Sequence, residues 1–310
     1  MGFRSLVSFV MLAIPIGVTL GILLALDAHR QATGQQPLFQ DNSVSKDQYC
    51  QKAYGISPTS KGLQYTLNPN QWGWDSSQGG GLCMNVTQFN NNTYATNVTA
   101  PQFSVTWQYP QGPETQPVHA FPNIKLDGEG TIFPAAISSI QSMPVDVEWT
   151  YGIGNKSANS TDVTGMAAAL VNTNVAIDMF LDSDKTKSQS STDAKYEIMV
   201  WLCTIGSATQ PIGLAQGPVS AQVINGTTFN LYFGQNSLEQ YVLTWTAATA
   251  VENFVGDITP LVTTVASLGR ADFPSSTDYL GYMGLGSEAL WSPQSVTFDV
   301  KYLSMDVRTA

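Results

Sequence analysis

With 310 residues the chain is long enough to bury one substantial core, and its length alone does not demand a second domain. Charged residues make up only 12% and the net charge is −10, which excludes electrostatic capture of nucleic acid or of an anionic membrane surface and favours a neutral substrate. The 2 histidines and 3 cysteines cannot supply an ordinary zinc cage or a histidine relay, so no metal and no cofactor is expected and catalysis falls to carboxylates.

Residues 6–26 carry no charge, follow Arg4, and exceed the roughly 18 apolar residues that mark a membrane-spanning candidate. Residues 1–28 therefore read as a signal anchor, or as a signal peptide with Ala28 offering a cleavage point; either places the remainder outside the cell. Residues 29–46 are polar and Gln-rich, a linker without apolar periodicity. The folded domain is expected over 47–310, as a monomer. Cys50 and Cys83 lie in polar, turn-rich surroundings and are expected to form a disulfide, while Cys203, inside an apolar strand, is expected to be a buried free thiol. Sequons at Asn85, Asn91, Asn97, Asn155, Asn159 and Asn225 are glycosylation candidates compatible with a secretory route.

Short β-type runs separated by turn signals occupy residues 62–67, 102–109, 145–153, 174–181, 196–204, 221–224, 227–233, 241–247 and 295–305. Without any βα alternation, they predict an all-β sandwich or jelly roll of antiparallel sheets. Asn225-Gly226 marks a hairpin turn. One short packing helix is predicted after Asp257, which can cap it, with Leu261, Val262, Val265 and Leu268 as its apolar stripe and Gly269 as its end.

The run Tyr196-Glu197-Ile198-Met199-Val200-Trp201-Leu202 organises the rest. A period of two puts Tyr196, Ile198, Val200 and Leu202 on the core face and Glu197, Met199 and Trp201 on the other. A carboxylate among apolar neighbours is costly unless paired or used. In residues 174–181, Val175, Ile177, Met179 and Leu181 form the core face with Asp178 opposite. If residues 182–195 turn that strand back into the next, Asp178 lies beside Glu197.

Several segments, in order from Tyr49 to the C-terminus, resemble glycoside hydrolase family 12, the secreted β-1,4-glucanases and xyloglucanases of fungi and bacteria. Tyr49-Cys50 resembles the family's opening Tyr-Cys, Asn70-Gln71-Trp72-Gly73 its Asn-x-Trp-Gly, and Ala120-Phe121-Pro122-Asn123 the Ser-Tyr-Pro-Asn of some members. Residues 174–180 resemble the strand with a buried Asp, and 196–202 the nucleophile strand. Asn225-Gly226 with Asn230-Leu231-Tyr232 resembles the next hairpin, and Gly286-Ser287-Glu288 the acid/base element. The family usually follows that second Glu with Pro and Phe, where this chain has Ala289 and Leu290.

The resemblance implies a concanavalin A-like β-jelly roll with an open glycan cleft, and retaining hydrolysis of β-1,4-glucan chains such as cellulose-like glucan or xyloglucan. It implies Glu197 as nucleophile, Glu288 as general acid/base and Asp178 as modulator of the nucleophile. Trp72 and Trp201 are candidates for sugar stacking, Asn70 for a sugar hydroxyl, Met199 for the cleft lining and Trp291 for a leaving-group subsite. A surface-tethered glycan-binding protein with little turnover, and a transglycosylase using the same covalent intermediate, are the alternative readings.

Overall fold

The computed structural model describes residues 3–33, 38, 44–89, 93–127 and 132–310. The sequon at Asn91 and the linker residues 34–37 and 39–43 lie outside the described residues. The chain divides into two compact units, Met1–Val44 and Ser45–Ala310. The first is built on a single helix, α1 (Phe3–Ala32), with Pro15 inside it. Its window Ala13–Arg30 has a mean hydropathy of 1.3 and is long and apolar enough to cross a membrane.

The second unit is built of strands. In chain order they are β1 (Val44–Tyr49), β2 (Tyr65–Asn68), β3 (Gly81–Phe89), β4 (Phe103–Gln108), β5 (Asn123–Leu126), β6 (Ala135–Ala136), β7 (Ile140–Ser142) and β8 (Pro144–Ile153). A short helix α2 (Val163–Ala168) precedes β9 (Asn172–Asp182) and β10 (Tyr196–Ile205), followed by β11 (Ser220–Ile224), β12 (Thr227–Gln235), β13 (Tyr241–Ala247) and β14 (Asn253–Asp257). After helix α3 (Thr259–Ser267) come β15 (Tyr279–Gly286), β16 (Ala289–Trp291), β17 (Val296–Met305) and β18 (Arg308–Thr309).

Two large sheets result. The first runs β1-β3-β4-β17-β8-β14, and the second β11-β12-β13-β10-β9-β15-β5-β2, with β16 added on β9 and β6 on β15. The core fills the space between them, from Trp107, Trp149, Phe298 and Met84 on the first sheet to Ile198, Val200, Ile177 and Trp245 on the second. Most strand pairs are antiparallel, but β10 runs parallel to β13, Tyr196 opposite Tyr241. A hairpin cannot make that pair; the chain reaches β13 only after building β11 and β12 outside it.

The expected strand faces of β10 are present through Leu202, with Trp201 on the cleft face and Leu202 in the core. A bulge between Trp201 and Cys203 then turns Cys203 inward beside Leu202, which buries the free thiol and pushes its pKa up to about 12 through desolvation. Helix α3 differs in one residue from its predicted stripe: Leu261, Val262 and Val265 are buried, but Leu268 is 39% exposed because the helix has ended by then. Asp257 Oδ1 accepts from Thr259 N at 3.0 Å and from Thr259 Oγ1 at 2.6 Å, so the carboxylate supplies the acceptor at the helix start. Cys50 and Cys83 are disulfide-bonded across 33 residues and join the segment after β1 to β3.

Candidate active site

Three neighbouring strands of the second sheet, β10, β9 and β15, set the site. Their registers put Met199, Asp178 and Gly284 in one row across the sheet, Trp201, Ala176 and Gly286 in the row on one side of it, and Glu197, Phe180 and Tyr282 in the row on the other. All these positions face away from the main core. Asp178 therefore lies diagonal to Glu197 rather than directly opposite it, within reach of its carboxyl. Gly284 contributes no side chain to its row, and a Cβ there would come within 2.9 Å of the Tyr282 hydroxyl. Glu288 follows β15, on the far side of β9 from Glu197.

Glu288 is fixed by its neighbours on β9. Asn174 Oδ1 accepts from the Glu288 backbone N at 2.8 Å, and Asn174 Nδ2 donates to Glu288 Oε2. Thr173 Oγ1 donates to Glu288 O at 2.7 Å, and Ser287 Oγ to Asn174 O at 2.6 Å. The Ala289 that stands where the family usually has proline contributes its own N–H to Ala120 O at 2.9 Å, a bond proline cannot make. That bond and the Ala289 pairing with Thr173 hold the segment after Glu288 between Ala120 and β9.

Burial drives the electrostatics. Desolvation, then the charge of Glu288, push the Glu197 carboxyl up to about 7, while hydrogen bonding from Asp178 and Asn236 pulls it back toward the ionised form. Desolvation pushes Glu288 up to about 7 as well, opposed by the Asn174 amide. Asp178 rises well above the ordinary carboxylate range through desolvation and the charges of Glu197 and Glu288. Its Oδ1 is buried with no N–H or O–H donor in reach, and its carboxyl shares a hydrogen bond with Glu197. A bond between two carboxyls needs a proton on one of them.

The remaining candidates line up on either side of this trio. Met199 and Trp201, each 5% exposed, pack with Phe121, Ala176 and Val242 in a small apolar cluster on the cleft face of the sheet. Trp201 is packed into that cluster rather than standing free, and its Nε1 is buried without a protein acceptor. Trp72 is 54% exposed, on a segment bound to the stretch before β5 through Phe121 N to Asn70 O at 3.0 Å. Asn70 itself has φ +43, and its Nδ2 donates to Phe121 O at 3.2 Å, so that nitrogen is already engaged. Trp291 is half-buried beside β9 at Asn172, its Nε1 also without an acceptor. Trp107, Trp149 and Trp245 are core residues.

Asn174 and Asn236 are the site residues that the sequence did not single out. Asn174 begins an alternating strand and could be suspected only once Glu288 was placed across from it. Asn236 sits in the turn after β12, where Leu238 N and Gln240 N both donate to its Oδ1 at 3.0 Å, so its amide nitrogen has a fixed direction. Nothing in that turn's composition points to a carboxylate on another strand.

The fold compares with known structures over almost the whole of the second unit. Trichoderma harzianum endoglucanase 3 superposes with a TM-score of 0.64 at 21% identity, covering 87% of this chain and 100% of that one. A family 12 xyloglucanase from Bacillus licheniformis gives 0.60 at 17% identity, covering 85% and 100%. At these identities the likeness concerns the fold. In sequence the chain is 28% identical over 239 residues to the xyloglucan-specific endo-beta-1,4-glucanase A of Emericella nidulans, covering 77% of this chain and 83% of the relative. It is 30% identical over 199 residues to the enzyme of the same name from Aspergillus niger, covering 64% and 68%. The model of glycosyl hydrolase family 12 matches residues 63–308, a span that contains Asp178, Glu197, Glu288 and the asparagines that hold them, and the chain belongs to that family.

Proposed function

We propose that the protein is an endo-acting β-1,4-glucanase, of cellulose-like glucan or xyloglucan, that works with retention of configuration. The observation that carries this reading is the pair Glu197 and Glu288, set on two sides of β9 with Asp178 between them. A retaining mechanism needs the two carboxyls ~5–5.5 Å apart, a separation that glutamates on strands roughly 9–10 Å apart reach by leaning over the middle strand. The named activity of the Emericella and Aspergillus relatives points to the same substrate class.

In this mechanism Glu197 attacks the anomeric carbon and Glu288 donates its proton to the leaving oxygen. Glu288, now ionised, then takes a proton from the water that releases the sugar from Glu197. The reaction needs Glu197 ionised and Glu288 protonated when substrate arrives, so the bound sugar and the neighbours of each must separate two carboxyls that burial pushes alike to about 7. Trp72 at the β2 end of the cleft offers an exposed ring for a pyranose face, with Asn70 beside it for a hydroxyl. Trp201 and Met199 form the cleft wall beside Glu197, and the half-buried Trp291 offers ring surface to a leaving-group subsite beyond Glu288. The unit Ser45–Ala310 is the catalytic domain, acting as a monomer outside the cell, and residues 1–28 direct its export and can tether it to the membrane.

Glu197→Gln and Glu288→Gln should each lower release of reducing ends from soluble β-glucan by on the order of 10³-fold while the fold persists. Full activity in either variant overturns the assignment. Glucan binding without turnover by the unmutated chain would make it a binding protein. Product analysis over a panel of β-glucans reads the preferred polymer and separates hydrolysis from glycosyl transfer, and N-terminal sequencing of the extracellular form shows whether residues 1–28 remain.

A further inference from the structure

A groove of about 640 Å³ opens on the outward side of the first sheet. Its floor is the row of positions on β3 and β4 that alternate with the core residues Leu82, Met84, Val105 and Trp107, namely Cys83, Asn85, Thr106 and Gln108. Trp74 forms a wall: its ring packs on the buried Tyr109 with centroids 6.4 Å apart, and its Nε1 donates to Gly79 O at 2.9 Å. Gly81 adds no side chain beside the edge of that indole, and Gly80 lets the backbone pass close to β4. A Cβ on Gly81 would lie 4.0 Å from Trp74 Cζ2, and one on Gly80, at φ +76, would stand 2.2 Å from Gln108 O.

The groove is lined without a single charged side chain. Its polar groups are held in place before any ligand arrives. Gln48 Nε2 donates to Asn85 Oδ1 at 3.0 Å; Gln108 Nε2 donates to Pro293 O at 2.9 Å while Ser295 Oγ donates to Gln108 Oε1 at 3.2 Å. An ionic ligand would find no counter-charge here, and a purely apolar one would cover the amides without satisfying them. A pyranose meets both demands, with its C–H face on the indole and its hydroxyls on the amides. The volume is within the ~300–1,000 Å³ of small-ligand sites.

We propose that this groove is a second carbohydrate-binding site, taking a short run of neutral pyranose units on Trp74 independently of the cleft. Two sources share that chemistry. The sugars can belong to a free glucan chain, or to the innermost residues of a glycan on Asn85 or Asn155, sequon residues that both line the groove.

The test uses the full chain with its 7 tryptophans replaced by 5-fluorotryptophan, made first in a host that adds no glycans. Fluorine resonances are followed during titration with cellotetraose, and Trp74→Phe identifies the groove signal. The expected result is a saturable displacement of the Trp74 resonance at millimolar ligand. Thr106→Phe, which fills the floor, should abolish it while the core tryptophan signals stay in place and report an intact fold. A Trp74 resonance that does not move in the unglycosylated chain overturns the proposal, whatever the cleft tryptophans Trp72 and Trp201 do, so the outcome is separate from that of the catalytic reading. Within a positive result, chain from a glycosylating host tells the sources apart. A response like that of the bare chain assigns a free glucan, and a Trp74 signal that responds only after the glycan is removed assigns the protein's own sugars.

Discussion

Asn174 holds Glu288 at two points, its Oδ1 accepting from the Glu288 backbone N–H at 2.8 Å and its Nδ2 donating to the Glu288 carboxyl. The first contact fixes which way the amide faces, so the second is always a donor. A donor on a carboxyl favours its ionised form, and Asn174 thereby limits the rise of Glu288 to about 7. Asn174→Ala should let that value climb, moving the alkaline limb of kcat/KM to higher pH, and should lower the maximum by on the order of 10²-fold as Glu288 loses its orientation. A pH–rate profile on soluble β-glucan checks both. An alkaline limb unmoved by the change would mean that Asn174 is only a strand residue.

Asp178 can be tested through its proton. If the neutral carboxyl donates to Glu197, Asp178→Ala removes a contact that lowers the Glu197 pKa, and the acid limb of kcat/KM moves up. Asp178→Asn keeps an N–H in place of the O–H and should leave the acid limb nearer its original position. If both variants shift it equally, the proton is elsewhere.

Asn236 acts on Glu197 from a different turn, and that turn is itself anchored. Gln240 Nε2 donates to Ser191 O at 3.1 Å and Ala194 O at 2.8 Å, which ties the β12 to β13 turn to the connection before β10. Asn236→Ala should raise the acid limb as Asp178→Ala does, and Asn236→Asp should raise it further by placing a like charge near the nucleophile. Gln240→Ala loosens the anchor without touching the carboxylates, so a lower Tm with a smaller change in the pH profile is expected, read by calorimetry beside kinetics.

Alternation made most of the sandwich legible. The strands from 145–153 and 174–181 to 241–247 carry clean inside and outside faces, and Glu197 and Asp178 stand out against them for the same reason. The strand β15 was not legible, because Gly281, Gly284 and Gly286 interrupt its pattern and the register shifts between Leu280 and Tyr282. Those glycines are tertiary in origin: a Cβ on Gly281 would stand 2.3 Å from Ser188 Oγ, and one on Gly286 would stand 2.4 Å from Pro122 O. The strand β3 was hidden by the cysteine and sequon among its outward positions. The parallel pair β10 and β13 and the contacts of Asn236 depend on segments brought together only by the complete sheet.

The three carboxyls also set how stability changes with pH. Each has a folded-state pKa above its ordinary value, so the folded chain holds protons that the unfolded chain releases. Their contribution is therefore fully present below the unfolded pKa, near 4.5 for the glutamates, and is lost as pH rises through about 7. A displacement of that size corresponds to at most about 3 kcal/mol per glutamate, and the solvent contact both side chains keep reduces it. Replacing one glutamate by glutamine removes a buried charge above pH 7 and relieves the others, while below pH 4.5 it exchanges one neutral group for another. Glu288→Gln should thus raise Tm at pH 8 by on the order of 5 °C and leave it nearly unchanged at pH 4. Scanning calorimetry of the two forms at both pH values measures the difference; an equal change at pH 4 and pH 8 would mean that the variant acts through packing, and that the cluster does not carry the charge assigned to it.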